Sequence, residues 1–319
     1  MELYPLKFKP IFKETVWGGG RLKSLLGKNF SPDKKIGESW ELSAVRGSLS
    51  VASNGYLKGN NLEELVEVYM GELVGDKVYE QFGNEFPLLV KFIDAAETLS
   101  VQVHPDDAAA AERHHAFGKT EAWYVLAAEP DAKIAVGFNR DTNLTELLNH
   151  LSSNTLQEIL KLESAQAGDA FFIPAGTVHA IGRGVLLAEV QQTSDITYRI
   201  YDWGRSDKKR PLHTDLAMDI ICYNAAKGNK LSAGNTAELV SCPYFTLNKL
   251  DLARPAERDL SAHDSFVIYI CTAGAAQVSA RGQAETLSTG ETLLVPASLS
   301  GEVQLTPQGS ATLLEVYVT

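Results

Sequence analysis

The feature that most limits what this chain can fold into is a recurring rhythm of short apolar runs closed by Gly, Pro, Ser or Asp. From about residue 236 onward five such runs follow one another: YFTLNKLDL, SFVIYICTAG, AAQVSARG, ETLLVPAS and ATLLEVYV. Runs of this length, spaced by turn formers, read as the strands of a small barrel or sandwich. The stretch AGAAQVSARGQAETLSTGETLLVPAS repeats the Gly-strand-Pro-Ala order of the earlier AGDAFFIPAGTVHA. That repetition predicts a duplicated barrel whose second copy has lost the histidine. His263, the only histidine after residue 235, is expected in a loop.

The earlier part is more mixed. NLEELVEVYMGELVG sets Leu62, Leu65, Val66 and Tyr69 at helical spacing. Further helices are expected at TNLTELLNHL, NTLQEILKL and LHTDLAMDII, the first two opening on Asn143/Glu146 and Asn154/Gln157 at capping-box spacing. The helical segments thus lie at about 62–83, 142–162 and 212–221. The strands expected around them are FPLLVKFIDA, SVQVH, EAWYVLAA, AKIAVGF, GDAFFIPAG, VLLAEVQQ and ITYRIYDWG. Lys91 sits inside the first of these, where a buried ammonium needs a partner or a task. The expected architecture is mainly β: two barrels with a helical insertion, divided as residues 1–235 and 236–319.

A length of 319 residues agrees with a division into about two domains. The net charge of −11 argues against nucleic-acid or anionic-membrane partners, which call for basic surfaces. A phosphorylated small molecule remains compatible, because a local group of Lys and Arg overrules global charge. Cys222, Cys242 and Cys271 are scattered and include no CxxC pair, which suggests neither a disulfide framework nor a thiolate zinc site. The opening MELYPLKFKPIF lacks the apolar core of a signal peptide, and no apolar run reaches the ~18 residues of a spanning helix. The expectation is a soluble cytoplasmic protein.

The chemistry concentrates in four residues. In Val101-Gln102-Val103-His104-Pro105, strand alternation points Gln102 and His104 to one face. Glu121 opens the strand EAWYV, and His179 follows the tight turn of IPAGTV. Taken singly each is weak, since a lone strand histidine is more often structural than a ligand. Together, Q-x-H, then Glu, then G-D-x-x-x-x-P-A-G-x-x-H is a specific ordered pattern. Two imidazoles, a carboxylate and an amide oxygen suit Zn²⁺, and equally Fe²⁺ or Mn²⁺, with zinc preferred.

This pattern resembles the cupin superfamily, in which two short motifs bring metal ligands into a jelly-roll barrel. LSVQVHPDD, GKTEAWY, IPAGTVHAI and SDITYRIYDWGR, with VWGGGRL and IGESWELS before them, more closely resemble the short bacterial form of type I phosphomannose isomerase. The likeness runs in order over most of residues 5–215. It implies two cupin-type jelly-roll barrels, the second without metal ligands, and Gln102, His104, Glu121 and His179 as ligands of one zinc ion. The implied reaction interconverts mannose 6-phosphate and fructose 6-phosphate by moving a proton between C1 and C2 through an enediol(ate).

The same likeness nominates Arg199, Lys119, Asp195 and Glu189 as catalytic, and Ser100 and Lys91 as substrate-binding. Trp17 and Trp123 are read by residue type as substrate-binding walls of a sugar pocket, against the competing reading of strand aromatics as core. Arg199 shares a strand face with Thr197, and its competing reading is a surface pair with Asp195 or Glu189, worth little. Lys119 stands two before Glu121 and so shares its face on an extended backbone. Longer members of the family carry a histidine immediately before this lysine, whereas this chain has Gly118. His114 and His115, in the helical run DDAAAAERHHAF, are expected to face solvent. Competing functions are a dioxygenase-type cupin enzyme and a non-catalytic sugar-binding bicupin. No residue indicates an oligomeric state.

Overall fold

The computed structural model describes residues 2–205, 210–231 and 238–318. Two sheets form the earlier part. One has seven strands, including Ile11–Gly19, Ile36–Leu42, Leu88–Ala95, Glu121–Ala128, Ala170–Ile173 and Val185–Gln192. The other has five: Val101–Val103, Lys133–Phe138, Leu160–Ser164, His179–Ile181 and Tyr198–Tyr201. Every named pairing is antiparallel. Trp17, Ile93, Trp123 and Phe171 from the large sheet meet Ile134, Val136 and Ile181 from the small one in a shared buried core. The result is a mainly β sandwich of two sheets, in keeping with the strand rhythm and with the fold that the resemblance implies.

The later part is one eight-stranded sheet built around two long strands, Val267–Ala280 and Val303–Tyr317. The separate runs SFVIYICTAG and AAQVSARG therefore join into one strand. The register shifts at Cys271/Ala273 and Gly274/Ala276, and Gly274 takes φ +72, so the strand bends without breaking. His263 ends a short 3-10 turn. The strand Leu6–Lys7 from the start of the chain pairs with Thr292–Val295 in this sheet. Between the two parts lies the largest core, where Phe86 and Phe266 pack at 4.4 Å between ring centres with their planes tilted by 36°.

The helices differ from expectation in two places. Leu62–Val74 carries a complete capping box between Asn61 and Glu64, bends at Met70, and is followed by Asp76–Phe82. Leu144–Ser152 starts where expected, with Asn143 accepting from the Glu146 amide. The predicted NTLQEILKL helix is not one: Leu156–Glu158 is a single 3-10 turn and Leu160–Ser164 is a strand on Lys133–Phe138. Asn154 at φ +56 terminates the preceding helix instead of capping a new one, and sheet pairing overrides helical propensity. LHTDLAMDII keeps only the turn Thr214–Ala217 as helix. Among the described residues no helix is long and apolar enough to cross a membrane.

Candidate metal centre and active-site cavity

Strand register decides which side chains meet. In the small sheet Arg199 pairs with Gln102, and Gln102 pairs with His179 on its other side, giving one cross-strand row. In the large sheet a second row runs Trp40, Lys91, Glu189, Trp123, Phe171. Both rows contribute to one cavity of about 280 Å³, which Trp17, Ser100, Lys119, Asp195, Arg199 and Arg210 also line.

In contact with its lining residues Gln102 and Lys119, His104, Glu121 and His179 are buried, and their donor atoms all lie within 4.8 Å of one another. His104 Nε2 is 3.0 Å and His179 Nε2 3.9 Å from Glu121 oxygens. Gln102 Nε2 lies 3.2 Å from His179 Nε2. Each imidazole is oriented from behind. His104 Nδ1 is 2.9 Å from the Ile196 carbonyl, and His179 Nδ1 is 2.8 Å from that of Thr177. With Nδ1–H donating in both rings, both Nε2 lone pairs turn to the common centre. The tight turn before His179 is held by Gly176, at φ +81, whose amide donates to the His104 carbonyl at 2.9 Å.

The electrostatics suit a cation. Burial, reinforced by the Lys119 ammonium, pushes the His104 imidazole down to about 3, and burial also lowers His179. Burial would raise the Glu121 carboxyl, but Lys119, His104 and His179 together hold it well below the usual carboxylate range. Neither Glu121 oxygen has a hydrogen bond of good geometry, although Lys119 Nζ stands 2.7 Å from one of them and 3.0 Å from His104 Nε2. A buried carboxylate short of hydrogen bonds beside two aimed lone pairs fits a divalent ion.

Glu189 has the opposite environment. Burial first, and then the Glu121 charge, raises its carboxyl against the pull of Lys91. Lys91 Nζ lies 3.0 Å from Glu189 and 3.9 Å from Glu38, with Trp40 beneath it at 5.0 Å. Trp123 donates its indole N–H to the other Glu189 oxygen at 2.8 Å. Arg199, the cross-strand partner of Gln102, donates to Ser100 Oγ at 3.1 Å and to the Pro211 carbonyl. Burial and the neighbouring Arg210 hold its guanidinium below its ordinary value. Asp202 binds Arg205 and Arg210, not Arg199. Asp195 is exposed at the cavity rim, and His114 and His115 are exposed away from it.

A profile of the type I phosphomannose isomerase catalytic domain matches residues 5–141, and one of the mannose-6-phosphate isomerase cupin domain matches 235–318. Mannose-6-phosphate isomerase ManA of Bacillus subtilis is 36% identical over 96% of both chains. The chain belongs to the type I phosphomannose isomerase family. The Streptococcus mutans mannose-6-phosphate isomerase is 34% identical over 92% of this chain and 93% of its own. The crystal structure of a Bacillus subtilis mannose 6-phosphate isomerase superposes with a TM-score of 0.87 at 30% identity, covering 99% of this chain and 100% of that one. This phosphomannose isomerase family member is an enzyme of the mannose-6-phosphate isomerase kind, as its motifs predict.

Sequence reasoning passed over Glu38, Trp40 and Arg210 in the cavity. Glu38 and Trp40 alternate within IGESWELS, a segment already similar to the family. Arg210 follows residues 206–209, outside the described set, and no local pattern announces it.

Proposed function

We propose that the chain interconverts mannose 6-phosphate and fructose 6-phosphate, with Gln102, His104, Glu121 and His179 holding one divalent ion, zinc in the first instance. One observation carries the reading: a cavity lined by Gln102, Lys119 and Glu189, the first two in contact with the His104, Glu121 and His179 cluster, is also lined by Arg199 and Arg210. A bound ion would supply Lewis-acid polarisation of the sugar oxygens.

The protein's own groups divide the remaining work. Glu189, raised above the usual range, is suited to take the proton from one carbon and return it to the next. Lys91 and Trp123 fix its two oxygens, so Lys91 serves the base and not the phosphate. Lys119, between Glu121 and His104, stands where a proton on a sugar oxygen is held or passed. Asp195, exposed at the rim, is a weaker candidate for any of these steps. Arg199, Ser100 and Arg210 form the phosphate end. The crowding of like charge there is what a bound dianion relieves. Trp17, buried at the cavity wall, packs beside the sugar.

The direct test is a coupled assay of purified protein with mannose 6-phosphate, before and after chelation. Turnover in the metal-replete protein, its loss on chelation and its return with Zn²⁺ are expected. Absence of turnover in the replete protein removes the reading, and full activity after verified metal removal eliminates the ion's role.

A further inference from the structure

We infer that Tyr244, from the later part of the chain, is a positioning residue for the reaction, acting through Asp107 on the segment that carries Lys119. This rests on the reading of Lys119 as a proton-handling group.

Asp107 opens the helix Asp107–His114. Its Oδ1 accepts from the Gly118 amide at 2.9 Å and from Gln192 Nε2 at 2.9 Å. Gln192 Oε1 in turn accepts from the Thr120 amide at 2.9 Å. The backbone amides on both sides of Lys119 are thus tied to one connected pair of side chains, while the Lys119 amide itself donates to the Pro105 carbonyl at 3.0 Å. The remaining Asp107 oxygen, Oδ2, accepts from the Tyr244 hydroxyl at 2.9 Å. Burial, and then the hydrogen bond to Asp107, pushes the Tyr244 phenol up to about 12, so it stays a donor at neutral pH.

Gly118 is part of the same device. A Cβ at this position would stand 2.6 Å from the Asp106 carbonyl carbon and 2.6 Å from the Asp107 nitrogen, both backbone atoms. Only glycine lets the segment approach the helix start closely enough for its amide to reach Asp107, and a histidine here is sterically excluded. Lysine has four rotatable side-chain bonds, so the placement of its ammonium depends on a fixed backbone beneath it. The Asp107 bonds supply that fixation, and Tyr244 holds Asp107 in the rotamer that makes them.

The experiment uses the full-length, metal-loaded protein and the variants Tyr244→Phe, Asp107→Asn, their double mutant, and Lys119→Met. The quantities read are kcat, KM for mannose 6-phosphate, metal per chain and thermal midpoint. Tyr244→Phe is expected to lower kcat by about threefold to thirtyfold, with KM and metal content unchanged. In the Asp107→Asn background the same substitution is expected to add little, because its route is gone. A lowered thermal midpoint with wild-type kcat marks a merely structural role and overturns the inference, as does an undiminished effect in the double mutant. Wild-type kcat in Lys119→Met removes the reading of Lys119 and this inference with it. An impaired Lys119→Met beside a wild-type Tyr244→Phe removes the inference alone.

Discussion

At the scale of residues, two neighbouring carboxyls have opposite environments. Glu121 is held low by cations and imidazoles, whereas Glu189 is raised by burial and by Glu121 itself. Three substitutions separate the roles. Glu121→Ala is expected to lose metal and activity together. Arg199→Ala is expected to keep the metal and lose activity, and Glu189→Gln to keep the metal with kcat down by about 10²–10⁴-fold. Metal analysis beside steady-state kinetics checks all three, and metal loss in Glu189→Gln would move that residue into the ligand set. The imidazoles give a pH prediction. His104 binds a proton near 3 when folded and near 6.5 when unfolded. Between those values only the unfolded chain takes up the proton, so this stability is intact above about pH 6.5 and is lost as the pH falls below it. Chelated protein should therefore lose about 1.4 kcal/mol per pH unit from this one group. A thermal midpoint unchanged between about pH 7.5 and about pH 5.5 would contradict it. The convergence of His104, Glu121 and His179, with Gln102 beside them, was legible because alternation and a tight turn act over a few residues. Glu38 and Trp40 were not, because their place depends on register between strands far apart in the chain, nor was Arg210, which lies in a loop after residues 206–209.

Among elements, a short turn aims a proposed ligand. Gly176 takes a left-handed φ, and a Cβ there would stand 2.8 Å from the Ile220 carbonyl oxygen. Gly176→Ala is expected to destabilise the protein by about 1–2 kcal/mol. It is also expected to weaken metal retention, because the turn both delivers His179 and bonds to His104. Thermal unfolding with a competitive metal titration tests this, and wild-type metal affinity would deny the turn its aiming role. Most strands could be read from their apolar runs and punctuation. Residues 154–162 could not, because Leu156, Ile159 and Leu160 satisfy a buried helix face and a buried turn and strand equally well until their neighbour is known. The long strand Val267–Ala280 was read as two because a glycine bend resembles a turn in sequence.

Across the whole molecule, the later sheet is continuous with the core of the earlier part. Phe245, Leu247, Phe266, Ile268, Leu294 and Leu314 are buried in one cluster with Leu62, Leu65, Phe86 and Val90. We propose a division near residue 235 by topology, not by independent stability. A fragment ending at residue 235 is expected to lack a cooperative thermal transition, and a sharp, reversible transition in it would show a self-sufficient unit. The pairing of Leu6–Lys7 with Thr292–Val295, reinforced by a Lys7–Glu291 ion pair spanning 284 positions, bears on biosynthesis. During synthesis Leu6–Lys7 cannot join its sheet until Thr292–Val295 has emerged. Translation thus keeps an apolar edge waiting for its partner, and this late closure of the chain is where nascent copies are most exposed to chaperones and to one another.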